Sequence, residues 1–226
     1  MRPNYFAEAY GRVWAAFQSS RLTVDGRHDT PHWLHHRGRY AACIIRVRAQ
    51  DLQPGLHDMI GALEHLPALR IHPDYFLHIM LQELGFVVDN PEHPDEISAA
   101  RLEEFAHSAI EPVSSVAPLQ IGLGGANAFQ DAVFLEIDGG ESVARLHARL
   151  FDLAAIPRAP EYLYLPHCTV AHFAGESPAG EAARAIAPWR TAGFGQFVAA
   201  EVEVVTLATS EAYPELESYA VIPFGK

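Results

Sequence analysis

Lysine is nearly missing from this chain. Lys226 is the only one in 226 residues, and arginine supplies the rest of the positive charge. With 16 basic against 28 acidic side chains, the formal net charge is −12 with neutral histidines. That argues against non-specific binding to long nucleic acid, which depends on Lys and Arg neutralising successive phosphates. It leaves room for a local basic pocket around one phosphate. Arginine suits bidentate phosphate contacts, but no particular arginine can be placed in a site from the sequence. Cysteine is scarce too: Cys43 and Cys168 are the only two. Both lie in apolar, strand-like runs and read as buried thiols in a reducing compartment. No apolar run approaches the ~20 residues that span a bilayer. The N-terminus, Met1-Arg-Pro-Asn-Tyr-Phe-Ala-Glu-Ala-Tyr10, has no secretory pattern. The expectation is a cytoplasmic chain with no membrane partner. An apolar content of 49% supports a real core and excludes disorder.

What the chain does have is two strand-like segments with a histidine in the middle. One is Tyr75-Phe-Leu-His-Ile-Met-Leu-Gln-Glu-Leu84, around His78. The other is Tyr162-Leu-Tyr-Leu-Pro-His-Cys-Thr-Val-Ala-His-Phe173, around His167. Residues i and i+2 of a strand share a face, so His78 is paired with Met80 and His167 with Thr169. A lone strand histidine is more often structural than catalytic. Here both sit in apolar and aromatic runs, where an unexplained polar ring is costly. Both also occur at comparable points of comparable strand–helix contexts. The pair suggests a duplicated unit and a cleft in which two imidazoles divide acid and base roles.

Apolar spacing predicts a helix over 4–18, a polar loop over 21–39 and a strand over 40–48. Pro54 opens a helix through about Leu66. The first histidine strand runs from 75 to 84 and stops at Gly85, and a helix follows over 95–110. Strands are predicted at 119–123 and 132–137, a helix from Glu141 to about Leu153, the second histidine strand at 162–173 and a helix at about 178–189. Strands at 201–209 and 219–224 close the chain. The fold class is α+β: two similar lobes, each a mostly antiparallel sheet backed by helices, in one domain over 1–226 with an N-terminal helical extension at about 1–39.

Pro166-His-Cys-Thr-Val170 resembles the second signature of the 2H phosphoesterase superfamily, the group that includes 2′-5′ RNA ligase-like proteins and cyclic phosphodiesterases. Leu77-His-Ile-Met-Leu-Gln-Glu-Leu-Gly85 resembles the first copy, and 202–210 with 218–224 is similar to the closing strand pair. The resemblance implies a bilobal fold with two pseudo-symmetric sheets around a central cleft. It implies that His78 and His167 act as general acid and base on a phosphate, that Thr169 holds a phosphoryl oxygen, and that no metal or cofactor takes part. The ligand is then a small phosphorylated nucleotide or RNA end, and the protein a monomer.

The match departs at Met80, which stands where the first motif has a hydroxyl. A thioether cannot donate to phosphate. Either the site works with the remaining groups on a different substrate, or catalysis is lost and ligand binding is kept. Gln82 and Ala171, two positions further on, are expected to share the cleft face with Met80 and Thr169 and bring no positive charge. Phe76 shares the parity of His78 and is a candidate lining residue. Cys168 and His172 have the opposite parity and are expected to point away, and Glu83 offers no paired-carboxylate logic. Gly122-Leu-Gly-Gly-Ala-Asn127 lacks the Lys-Ser/Thr of a P-loop and reads as a turn between strands. His28, His32, His35 and His36, with Asp29, match no strong zinc signature and read as a cleft-rim loop. Trp33 within it is a candidate for stacking on a base. A metal-dependent hydrolase built on these histidines is the remaining alternative.

Overall fold

The computed structural model describes residues 5–27, 33, 36, 38–66, 68–156 and 163–225. In chain order its strands are β1 (Arg39–Arg46), β2 (Leu69–Ile71), β3 (His78–Val87), β4 (Glu96–Ile97), β5 (Leu119–Ala128), β6 (Ala132–Asp138), β7 (His167–Phe173), β8 (Gly195–Ala199), β9 (Glu201–Ala208) and β10 (Glu217–Pro223). Its helices are α1 (Ala7–Ser19), α2 (Gly55–Leu63), α3 (Ala99–Ser108), α4 (Ile110–Ser114), α5 (Gly140–Ala154) and α6 (Ala179–Ile186).

The strands form two antiparallel groups. The first lobe is ordered β10-β9-β1-β3 and the second β7-β6-β5-β8. β3 and β7 meet where Ile79 pairs with Cys168, and this contact joins the lobes into one continuous sheet. The apolar stripe Val143, Leu146 and Leu150 of α5 is buried in the main core together with Leu56 and Met59 of α2, Leu102 and Phe105 of α3 and Ile186 of α6. Both thiols, Cys43 and Cys168, are buried and unpaired in that core. Burial pushes the Cys43 thiol far above its usual range and that of Cys168 up to about 12, so neither serves as a nucleophile.

Several boundaries differ from the sequence reading. The segment 95–97 is not the start of a helix. Ser98 caps α3 by accepting a hydrogen bond from the Arg101 N–H, and the residues before the cap form β4, parallel to β3. The first histidine strand does not stop at Gly85. It runs on to Val87, with Gly85 at φ 112° and too close to the Asp95 carbonyl for a side chain. The Gly122–Asn127 run is no turn: it lies inside β5, and Gly125 is bare because the Arg190 carbonyl lies against it. Three short strands, β2, β4 and β8, were not visible in the pattern.

β3 and β7 each bulge soon after the motif histidine, and β3 bulges again at Leu84, between the Ala42–Glu83 and Ala41–Gly85 pairs. Cys43 pairs with Gln82 and Ile44 with Met80, so Leu81 is the extra residue. Val133 pairs with Ala171 and Phe134 with Thr169, so Val170 is the extra residue. A bulge inverts the side-chain alternation beyond it.

Candidate active site

The β3–β7 contact puts the two motifs back to back in register. With Ile79 opposite Cys168 in an antiparallel pair, His78 lies across from Thr169 and Met80 across from His167. All four line one cavity of about 770 Å³. The imidazoles are hung in the same way. His78 Nδ1 lies 2.7 Å from the Phe76 carbonyl and His167 Nδ1 2.8 Å from the Leu165 carbonyl. A carbonyl only accepts, so each Nδ1 carries the proton and Nε2 is the nitrogen available to chemistry.

The rings differ in surroundings. His167 packs against Phe129 and Phe134, each 5.2 Å away between centroids, and burial holds its pKa below the usual histidine range. It is a neutral acceptor at physiological pH. Met80 also belongs to an apolar cluster with Tyr40, Ile44, Phe76 and Phe86, on the opposite side of the first lobe's sheet from the main core. Phe76 does not line the cavity. It is buried beneath His78, edge-on at 5.5 Å, and contributes the carbonyl that orients the ring.

The bulges change which residues reach the cleft. Gln82 and Ala171 are buried, while Glu83 and His172 line the cavity, reversing the parity expected for both strands. Each stands five positions after its histidine, an odd offset that simple alternation sends to the wrong face. That shared offset was the one available signal. Glu83 is exposed, yet enough protein surrounds it to push its carboxyl above the usual carboxylate range. His172 is 8% exposed, and its Nδ1 lies 2.9 Å from Nε2 of the buried His72. Burial, reinforced by His78 and His167, holds its pKa down to about 4. Among the described residues lining the cavity there is no arginine or lysine, and Glu83 and Asp131 bring carboxylates.

The braces come from elsewhere in the chain. Tyr164 OH donates to the Met80 carbonyl (2.8 Å) and stacks on His147, whose Nδ1 lies 2.6 Å from the Leu81 carbonyl at the bulge. On the other strand, Tyr10 OH of α1 donates to the Pro166 carbonyl and accepts from the Ile137 N–H. Helix α1 thereby lies against the second lobe, with Tyr10 packed on Phe134, and its Val13, Ala16 and Phe17 form one cavity wall. Helix α1 thus walls the cavity that holds the two histidines.

Trp33 packs against Tyr40 and Phe86 at 4.7 and 5.2 Å, and His36 stacks on Phe86 at 3.9 Å. His28, Asp29, His32 and His35 lie outside the described residues. Among the described residues, no three His, Cys, Asp or Glu side chains are arranged to hold a metal ion, and no helix is long and apolar enough to cross a membrane.

A family model of the 2′-5′ RNA ligase superfamily matches residues 47–211. Helix α1 and strand β1 precede that match. Among solved structures, the chain is similar to TT0787 of Thermus thermophilus, with a TM-score of 0.60 and 15% identity over 81% of this chain and 97% of that one. It is also similar to E. coli LigT complexed with 3′-AMP (TM-score 0.59, 16% identity, 83% and 99% covered) and complexed with phosphate (TM-score 0.57, 16% identity, 84% and 99% covered). No curated protein matches the sequence.

Proposed function

The chain belongs to the 2′-5′ RNA ligase superfamily, and on that premise we propose that it is a metal-independent phosphoesterase acting on a cyclic phosphate or a 2′-5′ linkage in a nucleotide or short RNA end. The observation that carries this reading is the matched pair of imidazoles, His78 and His167, lining one cavity with Nδ1 of each held by a carbonyl two residues back. Solved relatives of the fold hold 3′-AMP, ATP and phosphate, which supports a small nucleotide ligand.

For a 2′,3′-cyclic phosphate the roles divide as follows. Neutral His167 takes a proton from water at Nε2 as the water oxygen bonds to phosphorus. His78, protonated on Nε2, gives its proton to the ribose oxygen as the P–O bond to it breaks, and a phosphomonoester leaves. Thr169, opposite His78, donates its hydroxyl hydrogen to a phosphoryl oxygen. The burial that depresses the His167 pKa is what suits it to the base role.

Met80 favours a second reading, a nucleotide- or RNA-end-binding protein without turnover. Hydrolysis of a 2′,3′-cyclic nucleotide by the full chain, followed across pH 5 to 9, separates the two. Turnover that disappears in His167→Ala while the fold is retained is the expected result. Binding with no turnover at any of these pH values would leave the binder as the function.

A further inference from the structure

The polar residues of the cleft floor form a row. Register places Glu83 at one end, the Met80–His167 and His78–Thr169 pairs in the middle, and His172 at the other end. His172 differs in kind from the two motif histidines. Their Nδ1 atoms hold carbonyls, which can only accept. Its Nδ1 meets another imidazole nitrogen, Nε2 of His72, at 2.9 Å. His72 is 3% exposed and is tied to the bulge itself, its main-chain N–H donating to the Val170 carbonyl at 2.8 Å. The residue inserted in β7 therefore does two things: it turns His172 into the cleft and seats against it His72, which borders the same cavity.

A histidine–histidine hydrogen bond needs one donor. If His172 donated from Nδ1, the lone pair on its Nε2 would point toward an anion in the cleft. If His72 donates from Nε2, His172 carries its proton on Nε2 and presents a donor instead. An anionic ligand selects the second arrangement. Resting on the phosphoesterase reading, we propose that His172 is a further phosphoryl-binding residue, a neutral Nε2–H donor beside Thr169, and that His72 is the positioning residue that sets its tautomer. The depressed His172 pKa agrees with a neutral ring.

This deepens the substrate assignment. The donors at this end, Thr169 and His172, are both uncharged, and no arginine or lysine lines the described cavity. Neutral donors satisfy a phosphodiester that carries one negative charge, whereas a doubly charged phosphomonoester calls for cations. The site is therefore built for a monoanionic cyclic diester, held toward the Thr169 side and away from Met80 and Glu83, and it releases the monoester it forms.

The test uses the full chain, 2′,3′-cyclic AMP and 3′-AMP, with calorimetric affinities, kcat and KM, and long-range 1H–15N spectra of the imidazoles. The wild type should bind the cyclic diester more tightly than the monoester. The bound spectrum should show His172 protonated on Nε2 alone, His167 on Nδ1 alone and His78 on both nitrogens. His172→Phe should weaken cyclic-nucleotide binding and raise KM by about 10- to 100-fold, the loss expected for a hydrogen bond to a charged group, with a much smaller change in kcat. His72→Phe should move KM in the same direction with His172 still present. His172→Gln, which keeps an N–H donor, should recover most of the affinity. A wild type that turns over the cyclic nucleotide while His172→Phe leaves KM and affinity unchanged would overturn this inference alone. A wild type that neither binds nor turns over the cyclic nucleotide would overturn the phosphoesterase reading and this inference together.

Discussion

In β3 the His78 ring hangs from the carbonyl of Phe76, and in β7 the His167 ring hangs from the carbonyl of Leu165. Each strand then bulges and brings the fifth residue after its histidine into the cleft. A tyrosine from another segment braces each strand, Tyr164 at the Met80 carbonyl and Tyr10 at the Pro166 carbonyl. The backbones are thus close repeats, but their side chains are not. β7 offers Thr169 and His172, and β3 offers Met80 and Glu83 at the corresponding places. The difference teaches that backbone geometry and site chemistry answer to separate demands. Ladder pairing and buried hydrogen bonds fix the strand path, while the cavity-facing positions are free to diverge. The outcome is a cleft with Thr169 and His172 toward one end, near Asp131, and Met80 and Glu83 toward the other.

The largest expected effect breaks both halves at once. His78→Ala or His167→Ala should lower kcat on a 2′,3′-cyclic nucleotide by roughly 10²- to 10⁴-fold, the usual contribution of a positioned acid or base. If only one of them mattered, the histidines would not be a catalytic pair. In the wild type, kcat/KM should hold up to lower pH than an ordinary histidine base allows, because the His167 pKa is depressed; a pH–rate profile checks this.

The motif hydroxyls sharpen the contrast. Thr169→Val should cost about 10²-fold in kcat, the scale of one lost oxyanion donor, while Met80→Val should change it little. Met80→Thr is the informative gain test. Faster turnover would mean a phosphoesterase scaffold with one donor missing, and slower turnover would make Met80 part of a changed specificity.

The acid side of the stability curve tests His172. The unfolded chain takes up this proton near pH 6.5 and the folded chain only near 4. The contribution is therefore intact above about pH 6.5 and is lost as the pH falls toward 4, by up to about 3 kcal/mol. Urea denaturation at pH 7 and pH 4.5 should show His172→Asn losing less stability on acidification than the wild type. An identical loss in both proteins would mean that His172 is not the titrating group.

The smallest effect concerns a brace. Tyr164→Phe removes the bond to the Met80 carbonyl and should cost about 1 kcal/mol, measured by urea denaturation. Its larger signature should be a change in KM, since the bulge at Leu81 loses a support. No change in either would show that His147 alone holds that bulge.

Much of this was legible in the chain. Amphipathic spacing marked α1, α2 and α5, and the apolar runs marked β1, β3, β7 and β9. The His-x-Thr and His-x-Met strings drew attention to the residues now found around one cavity. Strand parity places Phe76 in the lining, but the chain is in a short 3-10 turn there and its ring is buried. β2 and β4 are too short to show a period, and each exists only because a neighbouring strand offers it a ladder. The contribution of α1 to the cavity wall was not readable either: its apolar stripe announces that it packs, but not on what.

By itself, the sequence determined the longer helices and strands and that His78 and His167 stand in two of them, because apolar periodicity is a local property with a direct energetic meaning. Only the tertiary structure decided that Glu83 and His172 line the cavity and that His72 meets His172 there. Those positions follow from bulges at Leu81 and Val170, which arise when two strands with their own partners must also share a register. That negotiation between distant segments leaves no periodic trace in either one.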